Sequence, residues 1–205
     1  DNETGNHIRR TQNYVRVLAE ELRSHPRFAG SLDDETIQLL FKSAPLHDVG
    51  KVAIPDAILL KPGKLTAEEW VIMKQHCVAG RNAIISSAQE LSEGDDAFLG
   101  HAAQIAYCHH ERWDGNGYPR GLSGDDIPLG ARLMAVADVY DALISKRIYK
   151  RAFSHEQSIQ MMATERGSHF DPDALDAMLS LADEFDAIAG RYRDTSEEVT
   201  ALESR

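Results

Sequence analysis

The spacing of apolar residues is the feature that most restricts how this chain can fold. Ile8, Val15, Leu18 and Leu22 recur at intervals of three, four and seven residues, which places them on one face of an α-helix. The stretches "FLGHAAQIAYC" and "ARLMAVADVYDALIS" also have helical spacing, and we find no convincing strand pattern and no internal repeat. The sequence therefore predicts an all-α fold.

Composition and charge limit the kinds of function that are open to the chain. It has 205 residues, of which 42% are apolar, enough for a real hydrophobic core. Its formal net charge of −11 argues against binding to nucleic acid polymers or to anionic membranes, since both require a basic face. It also has no uncharged apolar run of the length needed for a membrane span and no signal peptide pattern. We therefore expect a cytoplasmic protein.

Local signals mark several helix ends and one long loop. Thr66 and Glu69 have the spacing of a capping box, which predicts a helix that carries Trp70, Met73 and His76. Asp171 followed by proline is typical of a helix start. The stretch "RWDGNGYPRGLSGDDIPLG" has too much glycine and proline for regular structure, and its length favours a functional loop.

The stretch "LHDVGK" places a histidine and an aspartate side by side at a predicted helix end. Pro45 lies two residues before His47 and tends to bend the helix, while Gly50 permits a turn after Asp48. Imidazole and carboxylate together suit hard or borderline divalent metals, and the two cysteines, Cys77 and Cys108, have no metal-site spacing. Taken alone, the pair is weak evidence, and a capping aspartate beside a surface histidine explains it better.

Other histidines and acids have the positions expected of metal ligands, although each has a structural explanation as well. His109 and His110 end an apolar helix, and Asp138 lies within an apolar run where an unpaired charge would be costly. Asp141, three residues on, could orient a ligand. The remaining candidates are His76, on an amphipathic helix, and the pair Glu3 and His7, spaced i and i+4.

Four segments together resemble the HD-GYP family, a branch of the HD-domain metal-dependent phosphohydrolases. They are "HDVGK", "HHERWDGNGYP", "ARLMAVADVYDAL" and "KRIYK", and they occur in family order between about residues 3 and 173. The resemblance implies an HD-domain helical bundle extended by C-terminal helices, with a long irregular loop that carries "GYP". Because the chain begins without methionine and with a helix under way, we expect a catalytic domain at residues 1–190, a tail at 191–205 and an N-terminal regulatory domain in a longer protein.

The resemblance also implies a site, residue by residue. Two or three divalent metal ions, iron or manganese, would be bound, with Asp48 as the bridging carboxylate. Lys51 is implied as the contact to the scissile phosphate, and Tyr118, Arg147 and Lys150 as further substrate contacts. The implied metal ligands are Glu3, His7, His47, Asp48, His76, His109, His110 and Asp138.

The implied activity is bacterial signalling chemistry: hydrolysis of cyclic di-GMP to linear pGpG, continued to GMP in some members, by a metal-bridging hydroxide that attacks phosphorus. Several alternatives stay open. The chain could be a sensor that binds a cyclic dinucleotide without cutting it, an interaction module whose GYP loop docks diguanylate cyclase (GGDEF) domains, or an HD hydrolase that prefers cyclic GMP-AMP, pGpG or a mononucleotide. A homodimer is open as well.

Overall fold

The computed structural model describes residues 5–88, 96–145 and 152–195. Within these ranges all the regular structure is helical, apart from two isolated β-bridges, and the predicted all-α class is confirmed. None of the helices in these ranges combines the length and the apolar character that a membrane span requires. The helices are α1 (Gly5–Leu22), α2 (Asp34–Ser43), α3 (Asp56–Leu59), α4 (Ala67–Met73), α5 (Gln75–Ala88), α6 (Asp96–Cys108), α7 (Leu129–Ile144), α8 (His155–Ala163), α9 (Pro172–Ser180) and α10 (Ala182–Arg191).

The main core lies between α1, α2, α6 and α7 and continues into the C-terminal helices. Tyr14 of α1 is fully buried at its centre, with Tyr140 of α7 edge-on at 5.3 Å between ring centroids. Phe185 of α10 stacks on the same tyrosine at 4.4 Å. The bundle and its C-terminal helices therefore share one apolar interior, which confirms the predicted architecture.

The structure differs from the sequence prediction at one helix. A single helix was expected to carry Trp70, Met73 and His76, but α4 ends at Met73 and α5 begins at Gln75, with a turn at Lys74 between them. The predicted capping box at the start of α4 is present, with Thr66 and Glu69 bonding each other's backbone. At the turn, the carbonyl of Met73 accepts a hydrogen bond from Nδ1 of His76 at 2.7 Å. The break thus supplies a backbone acceptor that orients the histidine.

The connection between α6 and α7, residues 109–128, is the predicted long loop, and we refer to it as the GYP loop. Apart from a short 3₁₀ turn at Gly124–Asp126 it has no regular structure. The buried Glu111 organises it, because its carboxylate accepts hydrogen bonds from the backbone N–H groups of Arg120 at 2.8 Å and Leu122 at 3.0 Å. Two backbone donors of the loop are thereby satisfied without a strand or helix.

Two backbones touch where the "HDVGK" segment crosses α5. Two 3₁₀ turns, Ala44–Leu46 and Val49–Ala53, flank His47 and Asp48. A Cβ atom on Gly50 would lie 2.9 Å from Cα of Gly80, and still closer to N of Gly80 and to the carbonyl oxygen of His76. Only a residue without a side chain fits there. The crossing fixes the distance between the segment and the first turn of α5.

We predict that Gly50→Ala destabilises the protein strongly. Overpacking typically costs about 1–3 kcal/mol, and here the obstacle is rigid backbone, so a loss at or above the top of that range is expected. Gly100→Ala, in α6, is the matched control, since nothing lies within 4 Å of the added Cβ and helix propensity should make the change neutral or stabilising. Urea denaturation of both variants provides the measurement, and equal stability of the two would contradict the role of the crossing.

Candidate metal centre

Seven of the predicted ligands converge from the helices α1, α5 and α7, from the turn at His47 and Asp48, and from the first two residues after α6. The side chains form two groups, and within each group the potential ligand atoms all lie within 4.8 Å of one another. The first, which we call the four-ligand cluster, consists of Asp48, His76, His109 and His110; the second, the three-ligand cluster, consists of His7, His47 and Asp138.

Asp48 joins the two clusters. Its Oδ1 lies 3.3 Å from Nε2 of His76 and 3.6 Å from Nε2 of His109, both in the four-ligand cluster. Its Oδ2 lies 3.3 Å from Nε2 of His47, which belongs to the three-ligand cluster, and 2.7 Å from Nζ of Lys51. A carboxylate with one oxygen toward each cluster has the geometry of a bridging ligand.

Four of the histidine rings have one nitrogen tied to an acceptor, which leaves the other nitrogen facing the clusters. A carbonyl or carboxylate oxygen can only accept, so Nδ1 carries a proton, and in a neutral ring Nε2 then presents its lone pair. Such outer partners fix the tautomer and orientation of metal-binding histidines. The bonds run from Nδ1 of His7 to Asp141 (2.9 Å), of His47 to the Ala44 carbonyl (2.9 Å), of His76 to the Met73 carbonyl (2.7 Å) and of His109 to the Ile105 carbonyl (3.1 Å).

Burial and neighbouring charges set the protonation of the site. Burial lowers the pKa of His76, and burial with the nearby rings of His109 and His76 lowers the pKa of His110 well below its ordinary value. Burial alone would raise the pKa of Asp48, but the rings of His109 and His47 and the ammonium of Lys51 outweigh it and hold that pKa well below the usual range. Neutral imidazoles beside an ionised carboxylate form the donor set that a divalent cation needs.

Three buried atoms of the clusters have no hydrogen-bond partner among the described residues. They are Oδ1 of Asp48, Nε2 of His109 and Oδ1 of Asp138. Leaving such a group unsatisfied costs about 1–3 kcal/mol, and more for a charged group. All three are potential metal ligand atoms, and all three belong to the clusters. The residues therefore fit a metal centre of imidazole nitrogen and carboxylate oxygen.

The outer partner of His7 is itself part of a buried network. Asp141 accepts a bidentate pair of hydrogen bonds from Arg10, at 2.6 Å from Nε and 3.0 Å from Nη2. Arg10 also donates to the carbonyl of Tyr192 at 2.8 Å. The prediction that Asp141 could orient a ligand agrees with its hydrogen bond to His7. No role for Arg10 was predicted from the sequence, although this residue lies one turn after His7 on the same helix face.

The remaining predicted site residues have the following positions. Lys51 lies at the edge of the four-ligand cluster, with its side chain 19% exposed. Tyr118 is partly buried and lies against the ring of His110. Glu3, Arg147 and Lys150 lie outside the described residues, so their predicted roles stay predictions.

The fold and the centre together define an HD-type architecture: a helical bundle with a histidine and aspartate cluster that could hold metal. A family model described as "HD domain" matches residues 4–174, and the chain belongs to this family. This confirms the resemblance found in the sequence motifs.

Individual relatives agree with the family assignment. The chain is 53% identical over 196 residues to a cyclic di-GMP phosphodiesterase of Vibrio cholerae serotype O1, covering 96% of this chain and 39% of the relative. It is 42% identical over 192 residues to a 3'3'-cGAMP-specific phosphodiesterase 2 of the same organism, covering 94% of this chain and 34% of the relative. The chain thus spans well under half the length of these two relatives.

One solved structure has the same fold. The crystal structure of a cyclic GMP-AMP specific phosphodiesterase from V. cholerae matches with a TM-score of 0.55 and 16% sequence identity, over 96% of this chain and 51% of that one. This likeness concerns the fold alone.

We predict that Asp141→Asn lowers the free energy of unfolding by about 3–5 kcal/mol, because it leaves the charge of Arg10 buried without its partner. Asp176→Asn is the matched control, since Asp176 pairs with Arg166 in the same bidentate geometry, at 2.6 and 2.7 Å, with both side chains about half exposed. The control should change stability little. Urea denaturation at neutral pH measures both, and equal losses would contradict the role of burial.

Proposed function

We propose that this chain is a metal-dependent phosphodiesterase domain that hydrolyses cyclic di-GMP to the linear dinucleotide pGpG, and on to GMP if the linear product can re-enter the site. The observation that carries the proposal is the pair of ligand clusters joined by Asp48, with three unsatisfied ligand atoms. The name of the relative at 53% identity, a cyclic di-GMP phosphodiesterase, supports the choice of substrate.

The formal charges of the site support a requirement for cations. Among the described residues, Asp48 and Asp138 bring two negative charges and Lys51 one positive charge, while the rings of His76 and His110 are neutral at neutral pH because burial lowers their pKa values. A net negative pocket would repel a dianionic dinucleotide. Bound cations reverse the sign of the local charge.

Two or three divalent ions, iron or manganese, are the proposed occupants, since imidazole with carboxylate suits several first-row metals. When bound, they would supply Lewis acidity toward the phosphoryl oxygens and an activated water. His76, His109 and His110 would hold one position with Asp48, and His7, His47 and Asp138 the other, with Glu3 as a further ligand.

The chain's own side chains would bind the phosphates of the substrate and orient the ligands. The ammonium of Lys51, beside Asp48 at the edge of the four-ligand cluster, would lie against a non-bridging phosphate oxygen and stabilise charge that develops there. Arg147 and Lys150 are proposed to bind the phosphates from the connection between α7 and α8. The anchored Nδ1 atoms would keep the histidine rings from reorienting, so that the centre is preorganised.

Cyclic GMP-AMP is the second candidate substrate. It is supported by the 42% identity to a relative named as specific for 3'3'-cGAMP. Cyclic di-GMP is preferred because the identity to the relative named for that substrate is higher, at 53%. Turnover of cyclic di-GMP, cyclic GMP-AMP, pGpG and a mononucleotide by one preparation would rank them. A chain that binds cyclic di-GMP but releases no product with any metal would instead be a sensor.

Finer expectations about the setting of the protein stay predictions. They are docking of diguanylate cyclase domains on the GYP loop, a homodimer, an N-terminal regulatory domain and a cytoplasmic location. The division into a catalytic domain at residues 1–190 and a tail at 191–205 belongs with them.

Asp48→Ala should abolish metal loading and lower turnover of cyclic di-GMP by about a thousandfold or more, because both clusters lose their shared ligand and with it several kcal/mol of transition-state stabilisation. Metal analysis of anaerobically purified protein, combined with chromatography of the products, measures both effects. Asp176→Ala, which removes a half-exposed acid outside the clusters, serves as the control. Full activity of the Asp48 variant would contradict the proposal.

A further inference from the structure

One histidine of the centre is held differently from the others. The rings of His7, His47, His76 and His109 each have a hydrogen bond at Nδ1, but the ring of His110 makes no hydrogen bond to any described residue. Two of its ring neighbours are the ligands His109 and His76, at 4.0 and 5.1 Å between centroids, and the third is Tyr118, at 4.8 Å with the ring planes inclined by 28°. Aromatic stacking therefore takes the place that a hydrogen bond has elsewhere in the centre.

The backbone of the GYP loop fixes Tyr118 over this ring. The N–H of Tyr118 donates to the carbonyl of His110 at 3.1 Å. A Cβ atom on Gly117 would lie 2.5 Å from Cα of Glu111, so the loop is in direct backbone contact with the segment that carries the ligand. The hydrogen bonds from Arg120 and Leu122 to the carboxylate of Glu111 close the loop beyond this point. The ring of Tyr118 has little freedom to move away.

A second contact ties the same ring to α5. Nζ of Lys74 lies 5.0 Å from the centroid of Tyr118, within the range of a cation–π interaction. Lys74 precedes His76 by two residues, and the rings of His76 and His110 meet edge to face at 5.1 Å. Tyr118 thus contacts one ligand of the four-ligand cluster directly and the segment of another through Lys74.

We infer that Tyr118 is a positioning residue that holds the imidazole of His110 in its metal-binding orientation. Tyr118 would then support this ring from outside the cluster, as the hydrogen-bonded outer partners do for the other four histidines. This inference rests on the proposed metal centre. It differs from the substrate contact implied by the family resemblance, because loss of the tyrosine ring should weaken metal binding before any substrate is present.

The test is a titration of the metal-free protein with Mn²⁺ alone, in which equilibrium dialysis measures the bound metal. Replacement of an outer partner typically costs 10–100-fold in metal affinity, so we expect Tyr118→Leu to weaken one class of Mn²⁺ sites by about that factor. Tyr118→Phe keeps the ring and should restore binding to the wild-type level. Tyr107→Leu is the matched control: Tyr107 is also partly buried and lies beside a cation, Arg81 at 5.0 Å, but outside both clusters. It should bind Mn²⁺ like the wild type.

Several outcomes would overturn the inference. Wild-type Mn²⁺ affinity in Tyr118→Leu, with a raised KM for cyclic di-GMP, would make the residue a substrate contact instead. Equal loss in Tyr107→Leu would indicate a general loss of stability, and loss in Tyr118→Phe would assign the role to the hydroxyl. If the leucine variant does not fold, Tyr118→Met keeps apolar bulk without a ring and replaces it.

A separate variant shows whether the proposed metal centre itself is wrong. His110→Ala is titrated beside the other variants. If the wild type and His110→Ala bind Mn²⁺ equally, His110 is not a ligand and the proposed four-ligand cluster is wrong. If His110→Ala loses the site and Tyr118→Leu keeps it, the cluster stands and only the positioning role is overturned.

Discussion

The close approach of two backbones at Gly50 and Gly80 is the constraint on which the centre depends. His47 and Asp48 lie between two short 3₁₀ turns, and the position of this segment relative to α5 is set by this contact. At the crossing there is no space for a Cβ atom, and the carbonyl of His76 is one of the groups that would be struck. The same contact therefore keeps Asp48 beside His76, with Oδ1 of Asp48 at 3.3 Å from Nε2 of the imidazole.

Around this crossing, four of the histidine ligands are each supported by a hydrogen-bonded group behind the ring. Backbone carbonyls serve His47, His76 and His109, and the Arg10 and Asp141 pair serves His7. The buried pair is costly to form, because both charges leave water, but it places a fixed carboxylate behind an imidazole. It also connects α1 and α7 to the residues after α10, through the carbonyl of Tyr192. The C-terminal helices thus contribute to the geometry of the centre as well as to the apolar core.

The acidic character of the chain is consistent with this arrangement. A net charge of −11 would oppose binding of a dianionic substrate if charge were spread evenly. The carboxylates at the centre, however, face imidazole nitrogens, and burial lowers the pKa values of His76 and His110, so that the centre combines negative charge with neutral imidazole and would attract cations. The overall charge and the proposed chemistry are compatible because bound ions, rather than the protein surface, would set the sign of the charge at the centre.

The sequence alone determined the all-α class, the capping box at Thr66, the long loop and the set of candidate ligands, because helical periodicity and local capping depend on residues close together in the chain. The adjacency of His109 and His110 and the apolar setting of Asp138 were also readable without coordinates. The motifs that identified the family are likewise local.

Only the tertiary structure decided which candidates meet and what supports them. The break at Lys74, the role of Arg10 and the contact of Tyr118 with His110 depend on groups that are distant in sequence or on a carbonyl that a continuous helix would have used. The bidentate pair of Arg10 and Asp141 spans 131 positions, and no local pattern encodes such a contact. The physical reason is that ligand orientation is set by packing and buried hydrogen bonds, which exist only once the helices have come together.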